Sequence, residues 1–327
     1  MHVSLLLRIV RNETRRYLTK VKLPAAGRIR PSSGNVRKNA AMKWICAALA
    51  CLLAAAAAAQ DRFFDSGGVR IRYVDQGAGA PLVLVHGFTG TIERSWVNTG
   101  VLPDLARDYR VIAFDLRGHG RSDKPHDPHA YDDVALDAIR LLDHLRIKKA
   151  HIVGYSLGGI ITIKLLTTHP ERFSSAVLGG AAYRRSRSEE ADQQADAAAR
   201  EIEDGIYRAL IVSTAPTDEP PPSEEAIRAR SREITASADV HAHAALMRAR
   251  RALLVSDAEV AKVRVPTLVV VGAADPALPR VEAMKKRWPG LEVEVVPGAA
   301  HPTVHERGLP RRPEFLAAIR RHIASRP

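Results

Sequence analysis

Ser156 stands where a side chain of its type can do chemistry. It lies in Gly154-Tyr155-Ser156-Leu157-Gly158-Gly159, directly after His151-Ile152-Val153. A serine between small residues on a sharp strand-to-helix turn is lifted clear of the sheet, and the glycines admit the close backbone approach that such a turn forces. The helix begins near Leu157, so its first free N–H groups and its dipole meet negative charge developing beside the hydroxyl. The chemistry this allows is attack on a carbonyl carbon. A serine hydroxyl is a weak nucleophile until a base takes its proton, so a histidine held in one tautomer by a carboxylate is required elsewhere in the chain.

The elements that would position such a group are legible around it. Ala150 to Tyr155 reads as a short buried strand and Ile160 to Thr168 as an apolar helix closed by His169-Pro170. Three further apolar runs have buried-strand length: Pro81–Val85, ending in His86-Gly87-Phe88-Thr89-Gly90; Tyr109–Phe114, ending in Asp115-Leu116-Arg117-Gly118-His119-Gly120-Arg121-Ser122; and Pro266–Val271, ending in Gly272-Ala273-Ala274-Asp275-Pro276. A last run, Leu291 to Val296, ends in Pro297-Gly298-Ala299-Ala300-His301. Continuous runs of this kind are buried on both faces. Their alternation with helical segments at Ala130–Leu145, Ile160–Thr168 and Arg312–Ala324 predicts an α/β chain with a mostly parallel sheet flanked by helices.

From about Arg62 to the C-terminus the chain resembles the α/β-hydrolase superfamily, in its serine-nucleophile, esterase-like branch. The HGF segment, DLRGHGRS, GYSLGG, the late strand ending in Asp275 and the turn at His301 match in type and order. The resemblance implies Ser156 as nucleophile, Asp275 as the acid after a late strand and His301 as the base after the last strand, in the chain order Ser, Asp, His. It also implies an oxyanion hole made by the backbone N–H groups of Phe88 and Leu157. Relatives that open epoxides or remove halides carry an aspartate where Ser156 stands, which sets those chemistries aside. The glycine-rich oxyanion loop of one lipase and esterase group is absent, since His86-Gly87 is followed by Phe88-Thr89. A carboxylic-ester hydrolase is the leading reading, ahead of a thioesterase or lactonase and then a carbon–carbon bond hydrolase. A ligand-binding protein that keeps the pocket without the catalysis is the reading from another class.

Other residues compete for these roles. His305 rivals His301, but His305-Glu306-Arg307 reads as solvated surface, whereas His301 follows the strand and a small-residue turn. His86 and His119 are expected to organise turns, and Asp115 to support its loop, with Asp115 a reserve for the triad acid. His126-Asp127-Pro128-His129 with Asp132 and Asp133 groups ligand-type residues, yet a proline-containing loop entering a helix explains them. His241 and His243 are two apart, so on a helix they face different ways. No metal and no cofactor is implied.

Between the two halves of the sheet pattern, residues 184–262 form a charged, helical region with a proline-rich stretch at Ala215–Ser223. The resemblance makes it a cap over the site, between core segments 60–183 and 263–327; the alternative is a surface decoration. Tyr207 is the cap's single aromatic. Ile206, Leu210, Ile211, Leu246, Met247, Leu253 and Leu254 make it aliphatic, which suits an acyl or alkyl pocket, with Phe88, Trp96 and Tyr155 as possible walls from the core.

The N-terminus sets the expected compartment. Trp44 to Ala59 is apolar, too short for a membrane span at 16 residues, and ends in Ala57-Ala58-Ala59 before Gln60. Residues 42–59 resemble a secretory signal peptide, so Met42 is the expected start, residues 1–41 are a basic upstream extension, and the protein is expected to be secreted or periplasmic. Residues 1–60 carry eleven Lys and Arg against one acidic residue, so most of the net charge of +13 belongs to the leader. The remainder, at +3, gives no basic patch for nucleic acid, and Arg248, Arg250 and Arg251 read as a solvated helix face. Both cysteines, Cys46 and Cys51, fall in the signal segment, which leaves the mature chain without disulfides or a Cys nucleophile. Ala48-Leu49-Ala50-Cys51 faintly resembles a lipoprotein box. The expected partner is a small ester-like molecule, with no nucleic acid and no stable membrane span after signal cleavage.

Overall fold

The computed structural model describes residues 61–183, 188–302 and 306–326. The segment expected to be a signal peptide, with Cys46 and Cys51, the basic extension and His305 lie outside the described residues. The described residues form an eight-stranded sheet in the order β1-β2-β4-β3-β5-β6-β7-β8. The strands are β1 (Arg62–Asp65), β2 (Arg70–Gln76), β3 (Pro81–Val85), β4 (Arg110–Phe114), β5 (Ala150–Tyr155), β6 (Phe173–Gly179), β7 (Thr267–Gly272) and β8 (Glu292–Val296). The pairs from β4 through β8 are parallel. The antiparallel edge, β1 on β2 and β2 on β4, did not stand out as an apolar run. It is a hairpin turned by Gly67 and Gly68, both at positive φ.

The apolar runs of β3, β4, β5 and β7 are buried on both faces because helices cover both, whereas β8, expected to be buried like them, is an edge strand with Glu292 and Val295 exposed. Along β3, Val83 and Val85 pack with α2 (Leu136–His144), α3 (Leu157–Thr168) and α9 (Leu278–Lys285), while Leu82 and Leu84 pack with α1 (Val101–Leu105) and α10 (Pro313–Ala324). This is period-two alternation feeding two cores. The helix expected over Ala130–Leu145 is shorter: Pro128–Tyr131 is a 3-10 turn capped by the Asp127 side chain, and α2 starts at Leu136.

The region between β6 and β7 is helical, as its composition suggests. Its elements are α4 (Glu189–Glu203), α5 (Arg208–Ser213), α6 (Glu224–Thr235), α7 (Val240–Ala249) and α8 (Asp257–Val260). Ser188, Ser223 and Asp239 each accept a backbone N–H in the first turn of α4, α6 and α7. Gly205, at φ 78°, ends α4 and turns the chain into α5. Helix α7 is the keel of this layer. Ala245, Leu246 and Ala249 enter the sheet's own core, while Ala244 joins Ile202, Tyr207 and Ile234 in a smaller core of the helical layer.

His243 on α7 fixes how this layer meets the sheet. Its ring is buried 4.4 Å from that of His119 and 4.9 Å from that of Phe88, and its Nδ1 accepts a hydrogen bond of 2.9 Å from the Tyr207 hydroxyl. Burial lowers its pKa to about 3 against the opposing pull of Asp239, with the nearby His86, Lys124 and Arg94 charges adding to the fall. Burial, then His243 and His86, hold His119 well below the usual range. Both rings are therefore neutral in the folded protein at pH 7. The unfolded chain binds these protons first, near pH 6.5, so the contact's stability is complete above that pH and is lost as pH falls toward about 3. We expect the unfolding free energy from urea denaturation to drop between pH 7 and 4.5, by up to about 1.4 kcal/mol per pH unit for each histidine. His243→Gln, which keeps an acceptor for Tyr207, should flatten that dependence, and an unchanged slope would contradict this account.

Candidate active site

The site forms where β3, β5, β7 and β8 end. Strand β5 turns into α3 through Ser156, which has φ 52° and ψ −113°, a conformation that costs a non-glycine residue on the order of 1–3 kcal/mol. Two close packings hold it there. A Cβ on Gly158 would overlap the Val85 carbonyl of β3, and one on Gly154 would overlap the Gly158 carbonyl of α3. The Ser156 amide donates 2.8 Å to the Gly179 carbonyl of β6, tying the turn to the next strand.

Three distant residues meet at this turn. Ser156 Oγ lies 2.9 Å from His301 Nε2, and His301 Nδ1 lies 2.9 Å from Asp275 Oδ2. With Nδ1–H donating to the carboxylate, Nε2 is left to accept the serine proton. Asp275 is buried; its Oδ1 accepts from the Ala277 amide at 2.8 Å, so both oxygens are engaged. The Tyr155 hydroxyl donates to the His301 carbonyl oxygen, fixing His301 from its backbone side. Burial pushes the Tyr155 phenol well above its usual range, which keeps that donor protonated.

Phe88 and Leu157 border the serine from opposite sides. Gly87 passes over Ser156 closely enough that a Cβ there would lie 3.1 Å from Ser156 Cβ, which brings the following Phe88 amide to the site. The Leu157 amide opens α3 and has no partner within the helix. The Gly87 loop is set by His86, whose Nε2 accepts from the Leu116 amide at 3.0 Å, so that its Nδ1–H donates to the Gly87 carbonyl at 2.8 Å. His119 Nε2 accepts from the Thr89 amide at 3.2 Å in the same way. Asp115 accepts from the Ile92 and Arg121 amides and from Arg72, which occupies both its oxygens in holding loops together.

Two cavities open on Ser156, of about 330 Å³ and 180 Å³, and both are bordered by Phe88, Leu210, Thr214 and His301. Leu210, Ile211, Leu246, Met247 and Leu253 of the helical layer supply much of the apolar lining. Tyr155 and Phe88 are walls, whereas Trp96 is fully buried in the core, and Tyr207 points to His243. Among the described residues, no group of three His, Cys, Asp or Glu is arranged to hold a metal.

The reading of Arg248, Arg250 and Arg251 as a solvated face holds for the exposed Arg251 and needs correction at the other two. Arg248 pairs with Glu203 at 2.6 Å, and Arg250 is half-buried against the smaller cavity, because α7 ends over the site and not in solvent. Gly180 also went unnoticed, although a glycine doublet closing β6 was its signal. At φ 56°, a Cβ on it would lie 2.8 Å from Asp275 Oδ2 and 3.1 Å from His301 Nδ1. Gly180→Ala should therefore push the imidazole and carboxylate apart. The expected result is at least a tenfold loss of kcat with the sheet's circular dichroism retained, and wild-type kcat would show that the pair does not depend on this gap.

Residues 80–307 match the family described as alpha/beta hydrolase fold. A putative non-heme chloroperoxidase from Synechocystis sp. is 30% identical over 263 residues, covering 72% of this chain and 90% of that protein. A 2-hydroxymuconate semialdehyde hydrolase from Pseudomonas sp. is 44% identical over 117 residues, covering 35% of this chain and 41% of that one. The chain thus spans about two-fifths of the length of that relative. Among solved structures, a thermophilic esterase from Thermogutta terrifontis shares the fold with a TM-score of 0.65 at 24% identity, over 82% of this chain and 99% of that one. An enol-lactonase from Burkholderia xenovorans shares it with a TM-score of 0.64 at 22% identity, over 80% and 100%.

Proposed function

The chain belongs to the α/β-hydrolase fold family, and from that membership we propose that it is a serine hydrolase that cleaves a small carboxylic ester through an acyl-enzyme on Ser156. The observation that carries the proposal is the hydrogen-bonded row of Ser156, His301 and Asp275 at the mouth of two apolar cavities. As Oγ attacks the ester carbon, its proton passes to His301 Nε2, and the Asp275 carboxylate stabilises the imidazolium. The carbonyl oxygen becomes an oxyanion received by the Phe88 and Leu157 amides, each worth on the order of 3 kcal/mol in such sites. His301 returns the proton to the leaving alcohol oxygen. Water then repeats the sequence on the acyl-enzyme, giving the acid and free serine.

The helical layer over the site acts as a cap in this reading, since its aliphatic residues line both cavities. Carbon–carbon bond hydrolysis is the second reading, favoured by the 44% local identity to the Pseudomonas hydrolase. Thioester and lactone substrates suit the same triad. Export is part of the proposal and rests on residues 42–59.

Ser156→Ala and His301→Ala should each lower ester turnover by about a thousandfold or more, and the double variant should be little worse, because the residues act as a unit. A fluorophosphonate should label wild type and not Ser156→Ala. Wild-type turnover in Ser156→Ala would end the serine-hydrolase reading, and an unlabelled wild type would favour a binding protein on this fold. A panel of esters, thioesters, lactones and dienones separates the substrate classes. N-terminal sequencing of exported protein should begin near Gln60, and a chain retaining residues before Met42 would contradict export by this signal.

A further inference from the structure

The smaller of the two cavities has two arginines in its lining, charge that ester hydrolysis does not require. Its walls near Ser156 are apolar, from Ile160, Leu246, Met247 and Leu253, but Arg250 and Arg280 also line it. They come from opposite sides, Arg250 just after α7 in the helical layer and Arg280 from α9 in the sheet layer. Arg250 is half-buried, and the hydrogen bond its guanidinium makes is to the weak acceptor Met247 Sδ, at 3.0 Å. Among the described residues neither arginine forms an ion pair, and neither cavity is lined by Asp or Glu. Arg72 and Arg117, more deeply buried, each meet a carboxylate at 3.0 Å or closer.

Like charges facing one cavity without a counter-charge are unfavourable in the folded protein, more so where one is partly desolvated. Burial, followed by the charge of Arg280, lowers the pKa of Arg250. An anion between the two guanidinium groups would remove both penalties and gain charge-assisted hydrogen bonds from fixed donor forks. The apolar lining that the cavity shares with Ser156 and the arginines suits a hydrocarbon linker.

We propose that this cavity is an anion subsite, and that the preferred substrate is an ester carrying a carboxylate a few carbons from its scissile carbonyl, held by Arg250 and Arg280. This rests on Ser156 being the nucleophile. It makes the two arginines specificity residues, one from each layer, so that an anionic substrate bridges the cap to the core.

The test compares each of two anionic esters with a neutral partner: monomethyl adipate against methyl hexanoate, and 6-acetoxyhexanoate against hexyl acetate. The first pair places the charge on the acyl side, the second on the alcohol side. A preference for the anionic member of either pair, by about tenfold or more in kcat/KM, is expected. Arg250→Gln and Arg280→Gln should each collapse that ratio. Arg280 is exposed, so its variant keeps the test decisive if Arg250→Gln fails to fold. A second readout is independent of turnover: the better anionic ester should raise the Tm of Ser156→Ala protein more than its neutral partner does, and the arginine variants should lose that difference. Equal kcat/KM within both pairs, in protein that reacts with a fluorophosphonate, would overturn the subsite and leave the serine-hydrolase reading standing. Protein that does not react would overturn that reading, and a charge-dependent Tm shift in it would still support the subsite.

Discussion

The close contact of β3, β5 and α3 through bare backbone is the constraint on which the site depends. Where Gly158 meets the Val85 carbonyl, even a methyl group would force the strand and helix apart. That separation would release the turn holding Ser156 at φ 52° and would move the Leu157 amide away from the loop that carries Phe88. The strain at Ser156 is small beside the two cores that hold the sheet in register, so the fold keeps it. Chain order explains why the contact lies here. Strand β4 lies on one side of β3 and β5 on the other, which leaves a crevice beyond their carboxyl ends.

The sequence revealed those parts of the fold whose physics is local. A strand buried on both faces must be apolar throughout, and β3, β4, β5 and β7 were visible for that reason. The β1–β2 hairpin was not, because an edge strand such as Arg70–Gln76 mixes charge with apolar residues and its pairing depends on a partner far along the chain. Ser156, Asp275 and His301 could be singled out because each closes a strand and the family resemblance orders them; their 2.9 Å spacings could not be read from positions so far apart in the chain. Gly180 and Arg250 were missed for the same reason. What a glycine makes room for, or where an arginine points, is decided by elements that meet only in three dimensions.

Chemistry and selection sit in different layers. Ser156, Asp275 and His301 and both proposed oxyanion donors belong to the turns that follow strands of the sheet. Leu210, Ile211, Leu246 and Met247, which narrow the space above Ser156, belong to helices that touch the sheet through α7. The buried contact among His243, His119 and Phe88 is part of that junction, and Phe88 also borders both cavities. A change in the seating of α7 would therefore alter the walls around the substrate without displacing Asp275 or His301.

Electrostatics ties the two layers together. The attack on a carbonyl places a negative charge on its oxygen, and the surroundings favour that charge from more than one direction. The first turn of α3 points its N–H groups at Ser156, while Arg250 and Arg280 line the smaller adjoining cavity. The opposing charge of Asp275 is contained, since one oxygen is bound to His301 and the other to the Ala277 amide. His86, His119 and His243 have their pKa values lowered by burial, so at neutral pH they line this region as neutral dipoles and not as competing cations. Under the proposed function, a site arranged in this way would stabilise an oxyanion at Ser156 and a carboxylate at the arginines independently. Cleavage of an anionic ester would then use the same positive field twice, once to hold the substrate and once to lower its barrier.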